Sequence, residues 1–315
     1  MKQSLLIVVI VLMVVLVFTA VPASANGGPH GGYTATTDGC AGCHRAHTAP
    51  GPKLVINNGT YDLCITCHGS TGTGADTNVD DGYFLSTRSV STTGTANTPD
   101  NAPLLGGGFV NYRGAGVTSS HNPTGVTGAA WGNGVARGVV ANLVDGNLSC
   151  ASCHDPHGSA NYRILRETVN GSPVAVQQVD EGGAKDYDTE HWGAGTSSLC
   201  AACHGAYHRT NPGQADINDG GTYTHRVDMP YNFGANVNPE IVGMGGLTLP
   251  LAESGSNNTV VCMTCHLPHG SSVAMIGQAD GGPGGGGALP GNTTAADSAL
   301  LRLDNRGVCE VCHQK

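Results

Sequence analysis

All twelve cysteines of this 315-residue chain belong to one motif, C-x-x-C-H, which occurs six times. Two cysteines at this spacing share one helical turn, and the histidine that follows lies beside both thiols. The spacing is typical of covalent c-type haem attachment, with the histidine as the proximal ligand of the iron. The motif residues are, in chain order, Cys40, Cys43 and His44; Cys64, Cys67 and His68; Cys150, Cys153 and His154; Cys200, Cys203 and His204; Cys262, Cys265 and His266; Cys309, Cys312 and His313.

Three other uses of paired cysteines explain the pattern less well. Structural zinc sites contain C-x-x-C pairs, but they do not need a histidine directly after each second cysteine. A disulfide framework is compatible with an exported protein, yet it would not fix that histidine either. A thioredoxin-type redox motif normally occurs once, near a βαβ pattern. We therefore expect six c-type haems as cofactors.

The composition favours a core that is not made of side chains alone. Charged residues make up 12% of the chain and aromatic residues 5%, while glycine occurs 49 times. We expect a small, irregular α fold, mostly coil with short helices, and predict a strand at Val174-Ala175-Val176. Residues 26–315, which exclude the N-terminal segment discussed below, provide about 48 residues for each motif. A usual domain contains more, so the haems should form one continuous stack in an elongated unit. A net charge of −9 disfavours nucleic-acid binding.

The N-terminal segment has the pattern of a secretory signal peptide. Lys2 precedes an apolar run from Leu5 to Phe18, and Ala23-Ser24-Ala25 follows as a small-residue cleavage site. We expect residues 1–25 to be removed, which leaves residues 26–315 as a single hexahaem cytochrome c domain. The alternative is an uncleaved membrane anchor, but a 14-residue run is shorter than the roughly 20 residues that a spanning helix needs.

Eight histidines lie outside the motifs, which is enough to supply a second, distal ligand to every iron. Three of them follow a motif histidine at the spacing C-x-x-C-H-x-x-H, so they lie near their own haem's edge and reach a neighbouring haem more easily. His191, next to Trp192, is the first choice for a residue that binds no iron. The distal candidates are His30, His47, His121, His157, His208, His225 and His269.

These motifs resemble the multihaem c-type cytochromes and, more narrowly, the hexahaem OmcS-type extracellular cytochromes that polymerise into filaments. The resemblance extends over nearly all of residues 26–315. Besides the six motifs, it rests on His30-Gly31-Gly32, Ser119-Ser120-His121-Asn122-Pro123 and Asn161-Tyr162-Arg163-Ile164-Leu165-Arg166.

The resemblance implies closely stacked haems, each with two histidine ligands. It implies that His47 binds the fifth haem, at His266, of the adjacent subunit in a homopolymer. It also assigns His121 to the third haem, His157 to the fourth and His269 to the sixth. The ligand of the second haem stays open between His208 and His225.

The expected function is electron transfer rather than catalysis, because two histidine ligands leave no open position for a substrate. The expected partners are copies of the chain itself, redox partner cytochromes and extracellular electron acceptors, at an extracellular or cell-surface location. A multihaem oxidoreductase of the nitrite or hydroxylamine type is one alternative. A periplasmic or membrane-anchored electron-transfer cytochrome is another.

Overall fold

The computed structural model describes residues 30, 38–72, 75, 77–85, 103–124, 129–130, 138–139, 143, 146–177, 193–208, 215–216, 222–223, 225–231, 239, 249–254, 257–274, 299–304 and 307–313. This part of the chain is mostly coil with short helices and small sheets, which confirms the predicted fold class. The predicted signal peptide and His191 lie outside the described residues. Within them, no helix has the length and apolar character needed to cross a membrane.

Every C-x-x-C-H motif lies on or at the end of a short α-helix. The helices that carry the first, third and fifth motifs, called the odd motifs here, are four residues long. Those that carry the second, fourth and sixth, the even motifs, have nine, six and seven residues. In chain order the helices are α1 (Asp38–Ala41), α2 (Thr60–His68), α3 (Cys150–Cys153), α4 (Thr196–Ala201), α5 (Cys262–Cys265) and α6 (Gly307–His313).

The described strands form small antiparallel sheets between the motifs. One sheet has three strands in the order β12-β14-β13, and β15 pairs with the distant β5, while the other pairs are local hairpins. The strands are β1 (Thr77–Asn78), β2 (Tyr83–Phe84), β3 (Asn111–Tyr112), β4 (Ala115–Gly116), β5 (Ser119–Ser120), β6 (Ala129–Ala130), β7 (Gly138–Val139), β8 (Thr168–Val169), β9 (Ser172–Pro173), β10 (Ala215–Asp216), β11 (Thr222–Tyr223), β12 (Met229–Pro230), β13 (Ala252–Ser254), β14 (Asn257–Val260) and β15 (Gly270–Ser271).

The buried apolar side chains form small clusters that contact the motif cysteines. The largest includes Tyr162, Leu165 and Val261 and packs against Cys153 and Cys203. A second cluster, with Leu249, Leu303, Val308 and Val311, packs against Cys265 and Cys312. The protein core is therefore distributed along the motifs.

The prediction of a strand at 174–176 is wrong. Val174 and Val176 are buried on either side of the exposed Ala175, as in a strand. However, the Val176 N–H donates to the Asn161 side-chain oxygen, and the Asn161 amide donates to the Val174 carbonyl. The Asn161 side chain and single backbone bonds to Glu167 and Tyr162 thus pair this segment in place of the partner strand that the alternating pattern predicted.

Candidate haem-binding sites

The helical turn of each motif brings its histidine back over its first cysteine. The N–H of His154 donates to the Cys150 carbonyl at 3.0 Å, and the N–H of His266 donates to the Cys262 carbonyl at 3.0 Å. The first and fourth motifs have the same bond, at 2.8 and 2.9 Å. The two thiols and the imidazole therefore lie on one side of the turn, as covalent attachment requires.

Contacts between cysteines show that consecutive motifs are neighbours. Burial first and the nearby Cys203 second raise the pKa of the Cys153 thiol to about 11. The Cys265 pKa is about 12, again through burial first and then through Cys312. The remaining junctions are the pairs Cys43 with Cys67, Cys64 with Cys150, and Cys200 with Cys262. The six motifs follow one another in space in their order along the chain.

Each odd motif is held by the same contact with a later segment, called the odd-motif bridge here. A β-bridge joins His44 to Val55, His154 to Leu165 and His266 to Leu301. The residue before each bridge partner of the motif histidine has a positive φ. These residues are Leu54, Ile164 and Leu300, with φ of 58°, 52° and 61°. Non-glycine residues rarely adopt this left-handed conformation, so its recurrence marks a repeated structure.

The bridges orient the motif histidines through their Nδ1 atoms. Nδ1 of His44, His154 and His266 lies 3.2, 2.9 and 2.8 Å from the carbonyl oxygens of Lys53, Arg163 and Ala299. A carbonyl oxygen only accepts, so Nδ1 must carry the proton. Nε2 then has a free lone pair for a metal ion, which is the usual second-shell arrangement of a ligating histidine.

Five motif histidines have the ring of a non-motif histidine opposite them. Two imidazoles that bind one metal ion from opposite sides, with metal–nitrogen bonds of about 2.0 Å, have ring centroids about 6 Å apart. The observed separations therefore fit two axial ligands of one haem iron. They are 6.1 Å for His30 and His68, 6.2 Å for His44 and His157, 6.0 Å for His121 and His204, 6.3 Å for His154 and His269, and 6.2 Å for His225 and His313.

These pairs differ from those that the resemblance implied. His121 lies opposite the fourth motif and not the third, His157 opposite the first and not the fourth, and His269 opposite the third and not the sixth. For His157 and His269, the reason is that the C-x-x-C-H-x-x-H segment reaches back two motifs in the chain and bypasses the even motif that lies between. His121 precedes the third motif in the chain and reaches forward past it to the fourth.

The second motif also has a different partner. The sequence left His208 and His225 open for it, but His30 lies opposite His68. His225 is opposite His313 in the sixth motif. His208 faces no motif histidine in the described structure, because its Nε2 lies 2.6 Å from Oδ2 of Asp228.

Two histidines of the odd C-x-x-C-H motifs and the segments that follow them have no opposed imidazole in the described structure. His266, in the fifth motif, has no imidazole opposite it among the described residues. His47 is exposed and lies opposite no motif histidine in the same part of the chain. Both belong to odd motifs, one near each end of the row of motifs.

A two-motif unit repeats three times along the chain. Each unit begins with a loop histidine, continues with an odd C-x-x-C-H-x-x-H motif and ends with an even motif. His30 and His121 begin the first two units, and their Nδ1 atoms lie 3.1 and 2.7 Å from the carbonyls of Pro156 and Pro268. These prolines precede the distal histidine of the following unit. The sequence analysis did not identify this repeat because the spacing between motifs varies. The signal was the order of the histidines along the chain, in which a loop histidine precedes each odd motif.

Burial favours the neutral, metal-binding form of several of these imidazoles. It lowers the pKa of His121, His154 and His266, and it lowers the pKa of His269 to about 3. Glycine also allows close backbone approach at His269. A Cβ at Gly106 would lie 3.0 Å from the His269 Nδ1, and the His269 N–H donates to the Gly106 carbonyl.

Comparisons with known proteins agree with the motif chemistry. The family model of the doubled CXXCH motif matches residues 33–73 and 142–172, which contain the first three motifs. The chain resembles multihaem c-type cytochromes. No curated protein matches it.

Two solved structures are similar to the chain. One is of the OmcS nanowires from Geobacter sulfurreducens, with 17% identity, 88% of this chain and 98% of that chain covered, and a TM-score of 0.45. The other is the outer membrane cytochrome S filament of the same organism, with 19% identity, the same coverage and a TM-score of 0.41.

Proposed function

We propose that this chain carries electrons through six covalently attached c-type haems, each with two histidine ligands, and that it polymerises head to tail into an extracellular filament. Residues 26–315 form the exported unit in this proposal, and residues 1–25 are its signal peptide. Redox partner cytochromes supply the electrons, and extracellular acceptors receive them. Multihaem cytochrome-like electron transfer is supported by the C-x-x-C-H motifs and by the family match.

The opposed histidine rings are the observation that carries this proposal. The five pairs of rings fit axial ligation on both faces of five haems. A bound haem of this type supplies reversible one-electron transfer. Contacts of Nδ1 with neighbouring oxygen atoms hold several of these imidazoles. In these five pairs both axial positions of the iron would be filled by histidine, which leaves none for a substrate. That arrangement favours an electron carrier over an enzyme.

The unit repeat supports polymerisation. In the first two units, the odd motif histidine faces a distal histidine from the following unit, His157 or His269. In the third unit, His266 has no such partner among the described residues, and no further unit follows it within these 315 residues. His47 is the equivalent of His157 and His269, so the first unit of a second copy would supply the missing imidazole.

The loop histidines repeat the same relation. His30 and His121 contact the carbonyl of the residue before the next unit's distal histidine. His225, their equivalent in the third unit, contacts the Arg226 carbonyl instead. The equivalent residue of a second copy would be Ala46, next to His47. The end of the third unit and the start of the first are therefore complementary.

Replacing His47 tests this assembly. The His47→Ala protein should lose filaments in negative-stain micrographs and should show one high-spin haem in its electron paramagnetic resonance spectrum. Lys53→Ala, which removes a neighbouring exposed side chain and keeps the backbone carbonyl that contacts His44, should do neither. Filaments of His47→Ala with six low-spin haems would contradict the proposal.

A second candidate function rests on the same observation, that His266 has no imidazole opposite it among the described residues. If no second copy supplies an imidazole, the fifth haem has an open axial position, and a nitrite or hydroxylamine oxidoreductase becomes the better assignment. The wild-type protein would then contain one high-spin haem and would turn over one of these substrates. A wild-type protein with only low-spin haem and no turnover excludes it.

A further inference from the structure

The three odd-motif bridges end in residues of different charge. The next residue after each bridge is Ile56, Arg166 or Arg302. Its N–H donates to the carbonyl of the second motif cysteine in every case, at 3.0, 2.8 and 2.9 Å. Equivalent backbone positions in the third and fifth motifs therefore carry a cation, and the first motif carries an apolar side chain there.

The side chain of Arg302 is built into the attachment site of the fifth motif. Its Nε donates to the Met263 carbonyl at 2.7 Å, and its Nη2 donates to the Leu105 carbonyl at 2.8 Å. Met263 lies between the two cysteines of that motif. Arg302 is 9% exposed, so these bonds hold a guanidinium in a fixed place beside Cys265.

The charge of Arg302 acts on both the thiol and the imidazole of this motif. Burial is the main influence on the pKa of each, and the Arg302 cation then lowers the pKa of Cys265 and of His266. Burial lowers the pKa of Arg302 itself to about 10, which leaves it charged at neutral pH. Arg166 acts in the same sense on Cys153.

We propose that Arg302 is a positioning residue that raises the reduction potential of the haem at the fifth motif, and that Arg166 does so more weakly at the third. The inference rests on the proposed function, because it requires haem at these motifs. Reduction adds one electron to a ferric iron and removes one positive charge from it. A fixed cation nearby therefore favours the reduced form.

The contribution of this one position should differ in a fixed order among the three odd motifs, in addition to that of Arg163, a second cation near His154. Arg302 is buried, so solvent screens its charge least. Arg166 is half-buried, so its influence is smaller. Ile56 contributes no charge at the first motif. The chain thus uses one repeated position to give its odd haems unequal potentials.

Spectroelectrochemical titration of the holoprotein tests the proposal. Arg302→Gln should lower the reduction potential of one haem by about 59 mV, which is a change of about tenfold in its one-electron equilibrium constant. Arg302→Lys keeps the charge and should keep most of the potential. Arg166→Gln should lower the potential of a different haem by a smaller amount. Ile56→Arg should raise a third, although Asp62 lines the same surface cavity and offsets part of the added charge.

The haem content of each sample separates this inference from the proposed function. Six haems per chain with six unchanged potentials in Arg302→Gln would overturn the inference and leave electron transfer intact. An equal shift in Arg302→Gln and Arg302→Lys would also overturn it, because the lost hydrogen bonds would then be the cause. If Arg302→Gln does not fold, Arg166→Gln and Ile56→Arg test the proposal instead. Unchanged reduction potentials in both of these variants would refute it.

Discussion

Odd and even motifs present the same chemistry on different local structures. An odd motif has a four-residue helix, and its histidine is held by a bridge to a later segment. An even motif lies on a longer helix, such as α2, in which one turn is formed before the motif begins. Its opposed histidine comes from a loop earlier in the chain.

The difference shows where each kind of site obtains its order. A four-residue helix makes too few hydrogen bonds to be stable alone. The even helices, of six to nine residues, are also too short to be stable alone, but they make more of their own hydrogen bonds, so we expect the odd sites to depend more on tertiary contacts.

The largest contrast is between attachment sites in the middle and at the end of the row. Cys150→Ala with Cys153→Ala removes the attachment of the third motif, which contacts Cys64 on one side and Cys203 on the other. We expect no folded holoprotein. Cys309→Ala with Cys312→Ala removes the sixth motif, which contacts only the fifth in the described structure, and we expect a folded protein with five haems.

Haem content per chain and thermal unfolding by circular dichroism measure both variants. A cooperative unfolding transition for the third-motif variant would show that the central odd site does not organise its neighbours. Unfolding of the sixth-motif variant to the same extent would remove the contrast.

The short helix at each C-x-x-C-H motif and the fold class were predictable because they depend on local sequence. The cysteine spacing alone defines each motif, and a low content of aromatic and charged residues indicates a chain with much coil. The histidine pairs were not predictable in the same way. His30 and His68 come together only through loops, and no rule of spacing connects them. The pairing of His157 with His44 likewise depends on the odd-motif bridges, and no sequence pattern predicts these bridges.

Removing Asn161, near an odd motif, should cost more stability than removing Asn57, near an even motif. Asn161, beside the third motif, donates to the carbonyls of Arg166 and Val174 and accepts from the Val176 N–H. Asn161→Ala leaves these buried groups unpaired, at about 1–3 kcal/mol each, so we expect a loss above about 3 kcal/mol in the free energy of unfolding. Asn57, beside the second motif, makes two exposed hydrogen bonds.

For Asn57→Ala we expect a loss of about 0.5 kcal/mol, since water replaces its bonds. Denaturant titration followed by circular dichroism measures both variants. Equal losses would mean that the odd site is no more dependent on buried tertiary contacts than the even site.

A smaller loss of stability is expected from truncating the residue with positive φ in two odd-motif bridges, Ile164 and Leu54. Ile164 is 8% exposed and Leu54 is 46% exposed. Ile164→Ala should lose about 2 kcal/mol, the low end of the range for buried aliphatic truncation, because alanine tolerates the positive φ better than a β-branched residue. Leu54→Ala should change the stability of the monomer by about 0.5 kcal/mol or less. A similar loss in both would show that Leu54 is covered in solution, for example by a second copy.

The smallest effect concerns the histidine that follows an even motif. His208 lies four residues after His204 rather than three, and its Nε2 contacts Asp228 at 2.6 Å. We expect His208→Ala to keep all haems low-spin and to lose about 0–1 kcal/mol, as is usual for a partly exposed pair. His157→Ala, which removes an imidazole opposite His44, should instead produce one high-spin haem. Because both variants delete one imidazole, a high-spin haem in His208→Ala would assign a ligand role to an even-motif histidine and break the distinction between the two kinds of motif.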